Sequence, residues 1–159
     1  MTTLKHELKK RGPFESPEQE AVLNLVRTAA LLNAKMDRFF REHDLCPTHY
    51  NILRILAGER AGGVDGLPVL EVRDRLISPV PDITRLVDKL VKQKLVRRIR
   101  TEKDRRVVLL KLTDAGQAFV EKMARPILDQ HHKHLGHLSR TELSTLSQLL
   151  EKARTALVN

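Results

Sequence analysis

The chain is poor in aromatic side chains. Phe, Tyr and Trp together make up 3% of its 159 residues; Trp is absent and Tyr50 is the one Tyr. Proteins that hold single-stranded nucleic acid stack its bases on aromatic rings, so this scarcity disfavours that class. Cysteine is nearly absent as well. Cys46 stands alone, which excludes a fold stapled by disulfides within the chain. No stretch approaches the roughly 18 consecutive apolar residues of a membrane span. The first residues, MTTLKHELKKRG, lack the apolar segment of a secretory signal, and a soluble cytoplasmic protein is the expectation. Phosphate loops, dinucleotide fingerprints, H-E-x-x-H pairs and nucleophile elbows are all missing. An enzyme is therefore not expected, nor a cofactor or a metal.

What the sequence has is positive charge. Lys and Arg number 29 against 20 Asp and Glu, a net +9. That balance points to a polyanionic partner, nucleic acid or an anionic membrane surface. Binding at a membrane surface needs basic residues flanking an exposed apolar face, and here the apolar faces read as core. With apolar residues at 41%, the composition is that of a globular domain.

Residues 1–15 read as a flexible basic arm ending at Gly12-Pro13. Ser16-Pro17-Glu18-Gln19 marks a helix start, with Ser16 as cap and Gln19 able to reach back. Val22, Leu25, Val26, Ala29, Leu32, Met36, Phe39 and Phe40 then recur at helical spacing to about Arg41. Pro47 opens a second helix, 47–58, before the glycines at 58, 62 and 63. A third runs over 68–77. Ser78-Pro79-Val80-Pro81 cannot continue it, since each proline removes a donor and restricts its predecessor. Pro81 suits the first turn of a fourth helix, 81–93, with Ile83, Leu86, Val87, Leu90 and Val91 inward. The aliphatic runs 96–100 and 107–112 flank a charged stretch and predict a hairpin. Thr113-Asp114 restarts helix to about His137, with a bend expected at Pro126. Ser139-Arg140-Thr141-Glu142 is a capping box before a last helix.

Charge concentrates where the fourth helix meets the hairpin. Between Thr84 and Arg106 stand Arg85, Lys89, Lys92, Lys94, Arg97, Arg98, Arg100, Lys103, Arg105 and Arg106. Only Asp88, Glu102 and Asp104 oppose them, so ten bases against three acids put a net +7 inside 23 residues. A basic helix followed by a basic hairpin can track a phosphate backbone. Arg85, Lys89 and Lys92, spaced by four and three, share a helix face apart from the apolar one. An α-helix fits the major groove, with its N-terminal residues, here Asp82, Thr84 and Arg85, nearest the base edges. Each residue alone could be an ordinary solvated charge; the cluster is harder to read that way. At the hairpin tip Asp104 stands two residues before Arg106. A carboxylate so placed can orient a guanidinium for the narrow minor groove.

Pro47-Thr48-His49-Tyr50-Asn51-Ile52-Leu53-Arg54-Ile55-Leu56, Ile83-Thr84-Arg85-Leu86-Val87-Asp88-Lys89-Leu90, Leu95-Val96-Arg97-Arg98, Asp104-Arg105-Arg106 and Leu112-Thr113-Asp114-Ala115-Gly116 together resemble the MarR family (multiple antibiotic resistance regulators). The likeness covers about 45–118 in motif and the whole chain in element order. It implies a mainly α fold with a small β-hairpin wing: a winged helix-turn-helix that dimerises through its N- and C-terminal helices. It also implies a DNA-binding regulator, usually a repressor, on a palindromic operator. Thr84, Arg85 and Lys89 would contact DNA, and Arg106 would be the wing-tip arginine supported by Asp104. Two positions depart from the family pattern. Lys94 stands where Gly is usual, and a left-handed helix end at Lys94 or Gln93 would cost about 1 kcal/mol relative to Gly. Arg73 stands where a small Ala is common.

The expected organisation is a basic arm at 1–15, a dimerisation helix at 16–46, a DNA-binding region at 47–113 and C-terminal dimerisation helices at 114–159. The first and last helices carry more apolar stripe than the central region could cover, which argues for pairing across a two-fold; an intramolecular bundle is the alternative. The DNA-contacting set is Asp82, Thr84, Arg85, Lys89, Lys92, Arg98, Arg105 and Arg106. The resemblance implies a small anionic or phenolic effector, with Met36, Phe40, His43, Cys46 and Tyr50 as candidate lining. The alternative is a metal or redox sensor. Cys46 would be its thiol, or His131, His132, His134 and His137, spaced by helical steps, its ligands; no nearby Cys or carboxylate completes a metal set.

Overall fold

A computed structural model describes residues 2–100 and 107–157. The chain divides into two compact units, meeting in sequence at Pro47 and Thr48. The first holds α1 (Leu4–Glu7) and α2 (Pro17–Arg41). Within the segment expected as a flexible arm, Thr3 caps one helical turn by accepting from the His6 N–H. Glu7 of that turn pairs with Arg27 of α2 at 3.5 Å. The start of α2 follows its sequence signals. Ser16 Oγ accepts from the Gln19 N–H at 3.2 Å, and Gln19 Oε1 accepts from the Glu15 N–H at 2.9 Å.

The second unit runs α3 (Pro47–Ala61), β1 (Leu67–Pro68), α4 (Val69–Asp74), α5 (Ile83–Lys92), β2 (Val96–Arg100), β3 (Val108–Leu112), α6 (Asp114–Leu135) and α7 (Arg140–Thr155). The strands form an antiparallel sheet in the order β1-β3-β2. Val96 pairs with Leu112 and Arg98 with Leu110, so these four share a face; Arg97 and its partner Lys111 lie on the other. Ile52, Leu53 and Leu56 of α3, Val72 of α4, Ile83, Val87 and Leu90 of α5, the sheet residues Leu67, Val96, Leu110 and Leu112, and Val120, Met123 and Ile127 of α6 are buried.

Several element ends differ from the sequence expectation. α3 continues through Gly58 to Ala61, because one helical glycine is tolerated; the break falls at Gly63, whose φ is +85°. α4 is shorter than 68–77, since Pro68 belongs to β1. That strand, two residues long and holding a proline, fits only a sheet edge. α5 begins at Ile83, with Asp82 as its cap, and Pro81 lies outside it. α6 runs through Pro126 as one helix and stops at Leu135, where the Gly136 N–H donates to the His132 carbonyl. The capping box of α7 is present in both directions, Ser139 with Glu142.

Candidate nucleic-acid interface

α5 is an amphipathic rod held at both ends. At its start Asp82 Oδ1 accepts from the Thr84 N–H at 2.8 Å, so this carboxylate satisfies one of the helix's own first-turn donors. At its end the Lys94 N–H donates to the Val91 carbonyl at 2.9 Å and the Leu95 N–H to Leu90 at 3.0 Å. That is a Schellman cap, and it puts Lys94 at φ +59°, in the left-handed region that favours Gly. Thr113 then fastens the turn: its hydroxyl donates toward the Lys94 and Leu95 carbonyls at 2.7 and 3.0 Å, and its N–H reaches Leu95 at 3.1 Å. Gly116 packs so close that a Cβ there would sit 2.2 Å from the Leu95 carbonyl oxygen. The Leu112-Thr113-Asp114-Ala115-Gly116 stretch is thus the latch behind the end of α5.

Between these ends the faces separate by helical geometry. Ile83, Val87 and Leu90 are buried; Thr84, Arg85, Asp88 and Lys92 are exposed; Leu86, Lys89 and Val91 lie between. β2 follows directly, with Arg97, Arg98 and Arg100 exposed around buried Val96. The structure therefore brings Thr84, Arg85, Lys89 and Lys92 onto one helix and Arg98 onto the adjoining strand. Arg98 is held: its guanidinium pairs with Asp88 and donates to the Thr84 carbonyl at 3.3 Å. No spacing rule connects residue 98 to residues 84 and 88, and sequence reasoning missed this contact. Arg105, Arg106 and Asp104 lie outside the described residues. Arg73 of α4, where the resemblance expects a small Ala, is exposed and bound to neighbouring Asp74 at 2.9 Å, so the larger side chain does not enter the core.

Among the residues expected to line an effector pocket, Phe40 is buried, and Met36, His43, Cys46 and Tyr50 are half-buried. The first four belong to the first unit and Tyr50 to the second. Burial raises the Tyr50 phenol above its ordinary pKa. A separate cleft of about 520 Å³ within the second unit is lined by Arg60, Gly63, Val64, Asp65, Arg97, Leu112, Thr113 and Asp114. There Arg60 pairs with Asp114 at 2.8 Å, and the Lys111 ammonium bonded to Asp65 holds that carboxyl below its usual range. His131, His132 and His137 are exposed and His134 is half-buried. Among the described residues no group of three His, Cys, Asp or Glu side chains could hold a metal ion. Nor, among them, is any helix long and apolar enough to cross a membrane.

Comparison with known proteins agrees with this architecture. A family model described as transcriptional regulator SarA/Rot matches residues 39–123. A MarR transcription factor from Planctomyces limnophilus is 40% identical, with 87% of this chain and 98% of that one covered and a TM-score of 0.67. The multiple antibiotic resistance protein MarR of Salmonella typhimurium is 29% identical over 136 residues, 82% of this chain and 91% of the relative. A mutant MarR from E. coli, solved in complex with operator DNA, superposes with a TM-score of 0.68 at 26% identity, over 87% of this chain and 99% of that one. The order of elements, the three-stranded wing sheet and these relatives give one answer: the chain belongs to the MarR family of winged-helix transcriptional regulators.

Proposed function

We propose that the protein is a repressor that binds a palindromic operator as a homodimer. In this reading α5 lies in the major groove and the wing, about 97–112, in the adjacent minor groove. The observation that carries it is the separation of faces on α5. Arg85, Lys89 and Lys92 point away from the buried Ile83, Val87 and Leu90, and the exposed arginines of β2 continue the same positive stretch. In this reading Arg85, exposed near the helix start, reads a base edge and the exposed Lys92 meets phosphate. The wing-tip roles of Arg105 and Arg106, with Asp104 as support, rest on the sequence pattern. A relative solved with operator DNA adds to the reading.

A second copy of the chain is the natural cover for the apolar residues left in water. On α2 these include Val22, Leu25, Val26 and Leu31; on α6 and α7, Leu128, Leu146 and Leu149. Two recognition helices would then sit about 34 Å apart on one face of the duplex. Release by a small anionic or phenolic effector, near Met36, Phe40, His43, Cys46 and Tyr50, follows from the family resemblance, as does work in the cytoplasm.

The test is Arg85→Ala. It is expected to weaken binding to a selected operator by roughly 10- to 100-fold and binding to random duplex only slightly. Equal losses on both duplexes would reduce Arg85 to a phosphate contact.

A further inference from the structure

One arginine ties the groove-reading helix to the wing. Arg98 lies on the sheet face it shares with buried Val96, Leu110 and Leu112, because alternate strand residues point the same way. From there its guanidinium reaches two points of α5: one nitrogen pairs with the Asp88 carboxylate, and the other donates to the Thr84 carbonyl at 3.3 Å. Thr84 and Asp88 are one helical turn apart. A planar fork engaged at both resists rotation of the helix against the strand better than a single contact would. We propose that Arg98 is a positioning residue, not a phosphate contact, and that with Asp88 it fixes the spacing between recognition helix and wing. This rests on the DNA-binding reading above and assigns Arg98 a different part in it from the contact role that its charge alone suggests.

A positioning role and a phosphate contact differ in two physical respects. First, the pair is partly exposed, with a third of the Arg98 side chain and over half of the Asp88 side chain in water. Such a pair adds little to folding stability, so its effect lies in what it orients rather than in what it stabilises. Second, Asp88 is an exposed carboxylate on the helix that faces DNA. By charge alone its removal should tighten binding to phosphate. If Asp88 holds Arg98, and Arg98 holds the helix, removal should weaken binding.

The experiment measures affinity of the full-length protein for a duplex selected from a random pool, over a range of salt, for wild type, Asp88→Ala, Arg98→Ala and the double variant. Asp88→Asn is carried alongside because it keeps the side chain's size. The clamp predicts that both single alanine variants, and Asp88→Asn, lose on the order of tenfold in affinity. The double variant should be no weaker than the worse single one, melting temperatures should stay nearly unmoved, and the salt slope of Arg98→Ala should match wild type. The proposal is overturned if Asp88→Ala and Asp88→Asn bind as tightly as wild type or tighter. It is equally overturned if Arg98→Ala lowers the slope by about 0.9 per protomer, the signature of one lost phosphate contact. A wild-type protein that bound no duplex would instead remove the function proposed above, whereas a wild type that binds beside an unweakened Asp88 variant removes only the clamp.

Discussion

Lys94 holds a backbone conformation for which a lysine is poorly suited. Its φ of +59° brings Cβ against the carbonyl, and the Schellman bonds at Val91 and Leu90 keep it there. Lys94→Gly should therefore stabilise the fold by about 0.5–1 kcal/mol, read from denaturant midpoints. A loss of stability would mean that the lysine side chain contributes more than its strain costs. Gly116 is the converse case. An added Cβ meets the Leu95 carbonyl at 2.2 Å and the Leu112 side chain at 2.7 Å, neither able to yield freely. Gly116→Ala should destabilise by about 1–3 kcal/mol or more in the same measurement. The two positions were not equally readable. The strain at Lys94 follows from a helix ending without its glycine, a local signal. Gly116 stood in a recognised motif, but its reason is a close approach to a turn remote in sequence, which no local pattern encodes.

At the scale of elements, the long helices and the hairpin were readable because their caps and periodicity are strong, and what failed was short or interrupted. β1 is two residues with a proline, so neither alternation nor propensity marks it; it exists because β3 offers an edge to pair with. The helical turn at Leu4–Glu7 is held by its Thr3 cap and by Glu7 pairing with Arg27, an ion pair invisible to a window scan. The α7 capping box was legible and has a pH consequence. The backbone and hydroxyl of Ser139 bond the Glu142 carboxylate and lower its pKa below the ordinary glutamate value. A lowered folded-state pKa means stabilisation that is present above the ordinary value and lost as pH falls through the lowered one. Glu142→Gln should thus melt below wild type near neutral pH, with the gap closing in acid. A gap independent of pH would assign the effect to something other than the carboxylate's charge.

For the molecule as a whole, helical periodicity marks one undivided apolar stripe on each terminal helix, and on α2 the structure divides it. On α2 Val22, Leu25 and Val26 are exposed, Leu32, Met36 and Phe39 are half-buried, and Phe40 is buried. Periodicity reports that a face is apolar; it cannot say whether the same chain or a second copy covers it. If a second copy does, Val26→Asp should shift the protein toward monomer in sedimentation, with loss of operator binding and little change in helix content. A dimer unchanged by that charge would move the interface elsewhere. Operator recognition needs both the positive face of α5 and that pairing, and selection of bound duplexes from a random pool tests both at once. A paired, groove-reading dimer should enrich a palindrome whose half-sites are centred about one helical turn apart; a pool without enrichment, or one enriched in a single unrepeated site, would rule such a dimer out.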